Sequence, residues 1–257
     1  MKTEMRPEPI LVRAWGATAT GESRSINEDS YLLLPVPGRS DAILAAVADG
    51  MGGHRAGEVA SSLALEALSD YLNNVDGGPR AKTVRGILRR AIDEANRVVL
   101  RAASSRPDWS GMGTTLTAVL TTGLQFSVCH VGDSRAYWYS PNFSDLVTLT
   151  RDHSLAAETA GEGATGGILT RALGVSETMQ SDLTEDVARI GDRLLLCTDG
   201  ITRVLGRDAL DSRVGRGAPE DVPSALVDEA RERGSRDDIT AVLLTWLGAE
   251  EGETVDR

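Results

Sequence analysis

Between positions 115 and 149 the chain reads as short apolar, β-branched runs at 115–121, 125–131, 136–139 and 146–149, divided by turn residues such as Thr122-Gly123 and Pro141-Asn142. A parallel pair of strands needs a crossover of about a dozen residues. Gaps this short cannot hold one, so these runs are predicted to pair as antiparallel hairpins. Runs of the same kind recur at 11–18, 31–34, 42–48, 178–187, 193–197 and 239–247. Two long stretches follow the helical period instead. Positions 56–74 carry Val59, Leu63, Ala67 and Leu68 on one broad face, and 79–105 carry Ile87, Leu88, Ala91, Ile92, Ala95 and Val99, with Pro79 placed to start the helix. A third helix is expected over 221–234, with Gly234 ending it. Strands, two helices, more strands and a last helix describe one α+β domain in which helices cover packed antiparallel sheets. The domain is expected to span 11–248, between a short extension at 1–10 and an acidic tail at 249–257.

A chain of 257 residues, 41% hydrophobic and 25% charged, can bury a sizeable core without staples. Its 38 acidic against 27 basic residues give a net charge of −11. That excess argues against nucleic acid or an anionic membrane as the main partner, since both call for a basic patch. A local basic cleft within an acidic protein stays open. Cys129 and Cys197 each sit inside an apolar run and read as small core residues of a reducing compartment, with nothing in their spacing asking for a disulfide. The first residues lack the apolar stretch of a signal peptide, and no window reaches the roughly 18 apolar residues of a membrane helix. A soluble, cytoplasmic protein is expected.

Acidic residues stand repeatedly at the ends of the apolar runs, several of them beside glycine. The run 42–48 ends in Asp49-Gly50, 194–198 ends in Asp199-Gly200, Asp237-Asp238 opens the run at 239, and Asn27-Glu28-Asp29 precedes the run at 31. One Asp-Gly at a strand end is ordinarily a turn. Carboxylates brought together from four such places would repel one another unless a cation compensated them. All-oxygen ligands select hard cations such as magnesium or manganese over zinc.

Taken in order, the motifs are more specific. Arg24-Ser25-Ile26-Asn27-Glu28-Asp29 and Val47-Ala48-Asp49-Gly50-Met51-Gly52-Gly53-His54 come first. Gly111-Met112-Gly113-Thr114-Thr115, His130-Val131-Gly132-Asp133-Ser134-Arg135 and Leu169-Thr170-Arg171-Ala172-Leu173-Gly174 follow, then Cys197-Thr198-Asp199-Gly200 and Asp237-Asp238-Ile239-Thr240. The series resembles the bacterial branch of the PPM-type (type 2C) metal-dependent protein serine/threonine phosphatases over nearly the whole chain. The resemblance implies a β-sandwich of two antiparallel sheets flanked by helices on both sides, an α-β-β-α single domain, with two divalent metals, manganese or magnesium, in a cleft at one end. Carried over by position, Asp49 bridges both metals, Gly50 ligates one through its carbonyl, and Asp199 and Asp237 complete the other shell. Glu28 stands at the second metal and Arg24 grips the substrate phosphate. A water between two metals is ionised near neutral pH and aimed for in-line attack, so no phosphoenzyme is needed. Phosphorylated proteins, substrates of a serine/threonine kinase, are the implied partners, and a monomer is the implied state.

Other positions keep two readings. Asp108 matches an aspartate that holds a third, looser metal, against ordinary Pro-Asp loop chemistry. His54 is a candidate proton donor to the leaving oxygen. In animal members of the family the acid histidine directly follows Asp-Gly, where this chain has Met51, and a surface histidine is the other reading. Asp133 reads as a turn residue capping a hairpin, and His153 as a scaffold hydrogen-bonder. Asp238 stands where the family often has asparagine. The glycine-rich interval between Ser154 and Leu169 is shorter than the family's usual flap, which implies an open cleft with weaker peptide discrimination. Two other functions stand beside this one: a phosphatase-fold module that binds phosphoproteins with little turnover, and hydrolysis of small phosphate esters. The net negative surface leads to an expected modest effect of salt on rate.

Overall fold

The computed structural model describes residues 10–36, 39–52, 56–74, 83–143, 145–160 and 167–248. The strands are β1 (Ile10–Ala19), β2 (Asp29–Pro35), β3 (Ile43–Met51), β4 (Gly113–Thr114), β5 (Leu116–Thr122), β6 (Gln125–Val131), β7 (Arg135–Tyr139), β8 (Leu146–Thr148), β9 (Asp182–Val187), β10 (Arg193–Cys197) and β11 (Ile239–Gly248). The helices are α1 (Ala56–Asn73), α2 (Val84–Ser105), α3 (Leu155–Ala160), α4 (Asp199–Thr202), α5 (Arg207–Arg216) and α6 (Val222–Glu232). One sheet runs β1-β11-β10-β7-β8 and the other β2-β3-β5-β6-β9, with β4 paired to the end of β3. All their pairings are antiparallel.

The period of two along each strand builds the layers. In β3, Ile43, Ala45 and Val47 enter the core between the sheets, while Leu44, Ala46 and Ala48 face α1 and α2. In β11, Val242, Leu244 and Trp246 point between the sheets, while Ile239, Ala241 and Leu243 pack under α4, α5 and α6. Strands buried on both faces become continuous apolar runs, as their sequences read. Cys129 and Cys197 belong to the two opposite outer layers and are free thiols, so no disulfide joins them.

Three details depart from expectation. The second helix opens at Val84, not at Pro79, because Thr83 sits in extended backbone and its hydroxyl accepts the Gly86 N–H at 3.2 Å. Pro79, like residues 1–9 and 249–257, lies outside the described residues. The run expected over 178–187 is strand only from Asp182, where pairing with β6 begins opposite His130. Before that point Met179 turns toward the α2 side of the core. Helices α3, α4 and α5 were not foreseen; α5 buries only Leu210 and Val214, one turn apart, which is a weak periodic signal.

Antiparallel order has one consequence that governs the rest of the molecule. The end of β1, the start of β2, the end of β3, the end of β6, the start of β7, the end of β10 and the start of β11 all lie at the same end of the sandwich.

Candidate metal centre

At that end the backbone is held by the small and hydroxylated residues of the motifs. Thr115 Oγ1 accepts the Asp49 N–H at 3.0 Å, while the Thr114 hydroxyl and the Thr115 N–H donate to the Asp49 carbonyl, each at 2.9 Å. Thr115 Oγ1 also lies 2.7 Å from Ser134 Oγ, which ties the end of β3 to the turn carrying Asp133. That turn is held in place by His153, whose N–H donates to the Gly132 carbonyl at 2.7 Å and whose Nδ1 accepts the Gly132 N–H at 3.2 Å. Burial keeps the His153 ring pKa below its ordinary value, in the neutral form that such an acceptor requires. His153 is thus a scaffold residue.

The acidic groups converge from four elements. Carboxylate oxygens of Asp49, Asp133 and Asp199 all lie within 4.8 Å of one another. The Asp237 carboxylate meets Arg24 Nη2 at 2.5 Å and Arg203 Nη1 at 2.9 Å. Arg203 also pairs with Asp199, and Arg24 Nη1 donates to Glu28 Oε2 at 2.9 Å. Glycine makes the close approaches possible. A methyl group on Gly57 would fall 2.6 Å from Glu28 Oε1 and 2.8 Å from the Gly50 carbonyl oxygen, so the bare backbone there leaves both oxygens free to face one space. A methyl on Gly200 would strike the Asp238 carbonyl oxygen at 2.0 Å, so only glycine lets the turn before β11 lie on the start of α4.

Burial and mutual repulsion make this an energetically unfavourable arrangement without a cation. Burial pushes the Asp199 carboxyl up to about 8, with Asp133 nearby adding to it, and Arg203 only partly offsets the shift. Asp49 is raised well above the usual carboxylate range, first by burial and then by Asp29, Asp199, Asp133 and Asp237. Asp29, buried between the sheets, accepts the hydroxyls of Thr198 and Thr240 at 2.7 Å each and still rises to about 7 because it is desolvated. Asp199 Oδ1 and Asp29 Oδ1 are buried with no hydrogen-bond partner. Orphaned carboxylate oxygens, an oxygen-only donor set and the cradle over Gly57 fit hard divalent cations.

The family model described as Protein phosphatase 2C matches residues 20–247. The chain belongs to the protein phosphatase 2C family. It is 35% identical over 241 residues to the serine/threonine phosphatase stp of Listeria welshimeri, covering 88% of this chain and 93% of that one. To the serine/threonine protein phosphatase PstP of Mycobacterium tuberculosis it is 32% identical over 257 residues, covering 95% of this chain and 47% of the relative. Among solved structures, the catalytic domain of PstP in complex with two manganese ions superposes with a TM-score of 0.80 at 31% identity, over 93% of this chain and 99% of the other.

Within this phosphatase 2C fold the residues singled out from sequence fall into three groups. Arg24, Glu28, Asp49, Gly50, Asp199 and Asp237 are brought together at the cleft. Asp108 is not among them: it sits exposed in a short 3-10 turn, Pro107–Trp109, after α2, and the third carboxylate at the cluster is Asp133. Asp133 is therefore more than a hairpin cap. The signal that could have found it is the one that marked the others, a carboxylate beside glycine at a strand end. His54 lies outside the described residues, as do residues 161–166 of the shortened flap. Asp238 explains its own departure from asparagine: Oδ1 accepts the Gly21 N–H at 3.0 Å and Oδ2 the Glu28 N–H at 2.8 Å. An amide could accept only one of these, so the aspartate fixes both ends of the loop that carries Arg24 and Glu28. Arg203 was not anticipated; four residues after Asp199, it is on the same side of the α4 turn.

Proposed function

We propose that this cleft hydrolyses phosphoserine and phosphothreonine side chains of proteins. The chain is a metal-dependent protein phosphatase, and the observation that carries the reading is the convergence of Asp49, Asp133 and Asp199 with an orphaned, buried Asp199 oxygen among them. Glu28, Asp49, the Gly50 carbonyl, Asp199 and Asp237 are proposed as the ligands of two divalent metals, with Asp133 in place of Asp108 for a third. When bound, the metals supply an ionised water for in-line attack and neutralise charge on the phosphoryl oxygens. Arg24 presents a planar fork suited to two phosphoryl oxygens. Asp238 fixes its loop through backbone amides, which restricts where that fork can reach. Rigid strand ends hold the carboxylates, so little reorganisation is left for the reacting state.

His54 is proposed as the proton donor to the leaving alkoxide. His54→Gln should then slow phosphothreonine-peptide turnover by roughly tenfold to a hundredfold and leave p-nitrophenyl phosphate, whose leaving group needs no proton, unchanged. Equal effects on both substrates would remove His54 from that role. The proposed setting is the cytoplasm, as a monomer acting on kinase-phosphorylated proteins. Among the described residues no helix is long and apolar enough to cross a membrane.

Substrate class is tested with the manganese-loaded protein on phosphoserine and phosphothreonine peptides, p-nitrophenyl phosphate and a nucleoside monophosphate. The peptides should show the highest kcat/KM. A nucleotide preference would move the reading to small esters, and peptide binding without turnover would make the chain a binding module.

A further inference from the structure

Asp237 has no free carboxylate oxygen. Oδ1 is held by Arg24 at 2.5 Å and by the Asp238 N–H at 3.0 Å, and Oδ2 by Arg203 Nη1 at 2.9 Å. Each arginine bridges two acidic residues, and the pairs differ: Arg24 joins Asp237 to Glu28, which stands at the other metal, whereas the two partners of Arg203 are assigned to a single metal. Arg203 spends its fork on Asp237 and Asp199, and among the described residues these are its side chain's carboxylate partners. Its backbone is fixed, because Arg203 N–H donates to the Asp199 carbonyl at 2.9 Å at the end of α4. The guanidinium therefore bridges two carboxylates from different elements, the start of α4 and the turn before β11.

Resting on the assignment of Asp199 and Asp237 as ligands of one metal, we propose that Arg203 is an internal counter-ion which a divalent cation must displace, so that this arginine sets the metal concentration at which the site fills. A guanidinium on the same two carboxylates would lie a few ångströms from a doubly charged ion, and at that distance the repulsion outweighs what either cation gains from sharing them. The Arg203 side chain is 39% exposed, so water can take the released guanidinium at little cost. Removing the arginine leaves the carboxylates repelling one another in the metal-free protein and unopposed when metal arrives. The two effects should have opposite signs: a less stable metal-free protein and a tighter metal site. A residue acting only as a structural brace would lower stability and weaken the metal site together.

The test is calorimetric titration of Mn²⁺ into metal-stripped wild type, Arg203→Ala, Arg203→Gln and Arg203→Lys, with thermal melts of the same metal-free samples. Arg101→Ala, an exposed position on α2, controls for net charge. Arg203→Ala and Arg203→Gln should bind manganese roughly five- to twentyfold more tightly at one site, and their metal-free Tm should fall below wild type. Arg203→Lys should lie between, since an ammonium is a point charge without the fork. Unchanged or weaker manganese affinity in both neutral variants overturns the proposal, as does equal tightening in Arg101→Ala. Asp237→Ala run alongside separates the two levels of the argument: if it keeps full manganese affinity, the ligand assignment itself fails.

Discussion

The two ends of the sandwich are made by the same strands and solve opposite problems. At the far end, β6, β7 and β11 close the core with aromatic rings: Phe126 meets Trp138 edge-on with centroids 5.6 Å apart and lies 5.7 Å from Trp246. The indole N–H groups are satisfied there, Trp246 on the Gly123 carbonyl at 2.9 Å and Trp138 on the Asp192 carboxylate at 3.0 Å. At the cleft end the residues in corresponding places are Asp29, Asp49, Asp133 and Asp199. Apolar closure with paired indole N–H groups supplies stability. Desolvated carboxylates sharing a site reduce stability and give the molecule a strong demand for cations. The contrast places rigidity and reactivity at opposite ends of one set of strands.

The largest expected effect breaks function without breaking the fold. Asp49→Ala should lower phosphothreonine-peptide turnover by roughly a thousandfold or more, the scale set by losing several kcal/mol of metal-supplied charge stabilisation. Its metal-free Tm should stay level or rise, because one of several repelling carboxylates is gone. A clear fall in that Tm would mean that Asp49 braces the fold. Trp246→Ala should do the reverse, costing about 3–5 kcal/mol of stability in denaturant unfolding while the folded fraction keeps its affinity for manganese.

Much of this contrast was legible in the sequence, and the reasons are particular. Ile43 to Asp49 announces a strand buried on both faces that stops at a carboxylate, and Asp199-Gly200 repeats the pattern. Alternation and short turns gave antiparallel sheets under helices because both depend on neighbours along the chain, whereas the two-sheet sandwich was what the resemblance of the ordered motifs implied. Asp133 has the same glycine-flanked strand-end signal, yet in the short turn between β6 and β7 it reads as a hairpin cap, because its partners, Asp49 and Asp199, come from β3 and the end of β10 and meet it only when the sheets pack. Arg203 carried no strand-end signal; its one clue was the four-residue spacing from Asp199. Asp108 owed its metal reading to the family match, while Pro-Asp before a turn read as loop chemistry; it stands exposed in the turn after α2, outside the group of Asp49, Asp133 and Asp199.

A smaller effect sharpens the electrostatic half of the comparison. Asp199 and Asp29 have folded-state values of about 8 and about 7, above the roughly 3.9 of an unfolded aspartate. A raised carboxyl contributes stability that is complete below the unfolded value and is lost as pH rises through the folded one. His130, held down to about 3 by burial and by His153, works the other way, but its contribution is nearly complete above about pH 7. Between pH 7 and 8.5 the metal-free protein should therefore lose stability, by at most about 1.4 kcal/mol per pH unit for each proton. With manganese bound the trend should flatten or reverse, since the metal holds the ionised form. Melts in chelator and in manganese across that window check both statements; a rising metal-free curve would contradict the burial argument.

The smallest effect concerns salt. Arg85, Arg89 and Arg151 do line a cavity of about 530 Å³ on the flank between α2 and the β8–β9 edge, so the acidic protein has a local basic patch. Arg85 is already paired with Glu185 at 3.5 Å, and Asp182 shares the cavity wall. Turnover should consequently change by less than about threefold between low and physiological salt. A steeper fall, removed by Arg89→Glu, would mean that this flank recruits the substrate.

The cleft-end carboxylates hold the metals that make hydrolysis possible. The most direct test is to titrate Mn²⁺ into metal-stripped wild type, Asp49→Ala and Asp199→Ala, with phosphothreonine-peptide hydrolysis read on the same samples. Wild type should bind at least two ions and gain activity as they fill, while both variants stay folded, lose high-affinity binding and lose turnover. Hydrolysis by the stripped protein, or manganese binding unchanged in the variants, would contradict the account.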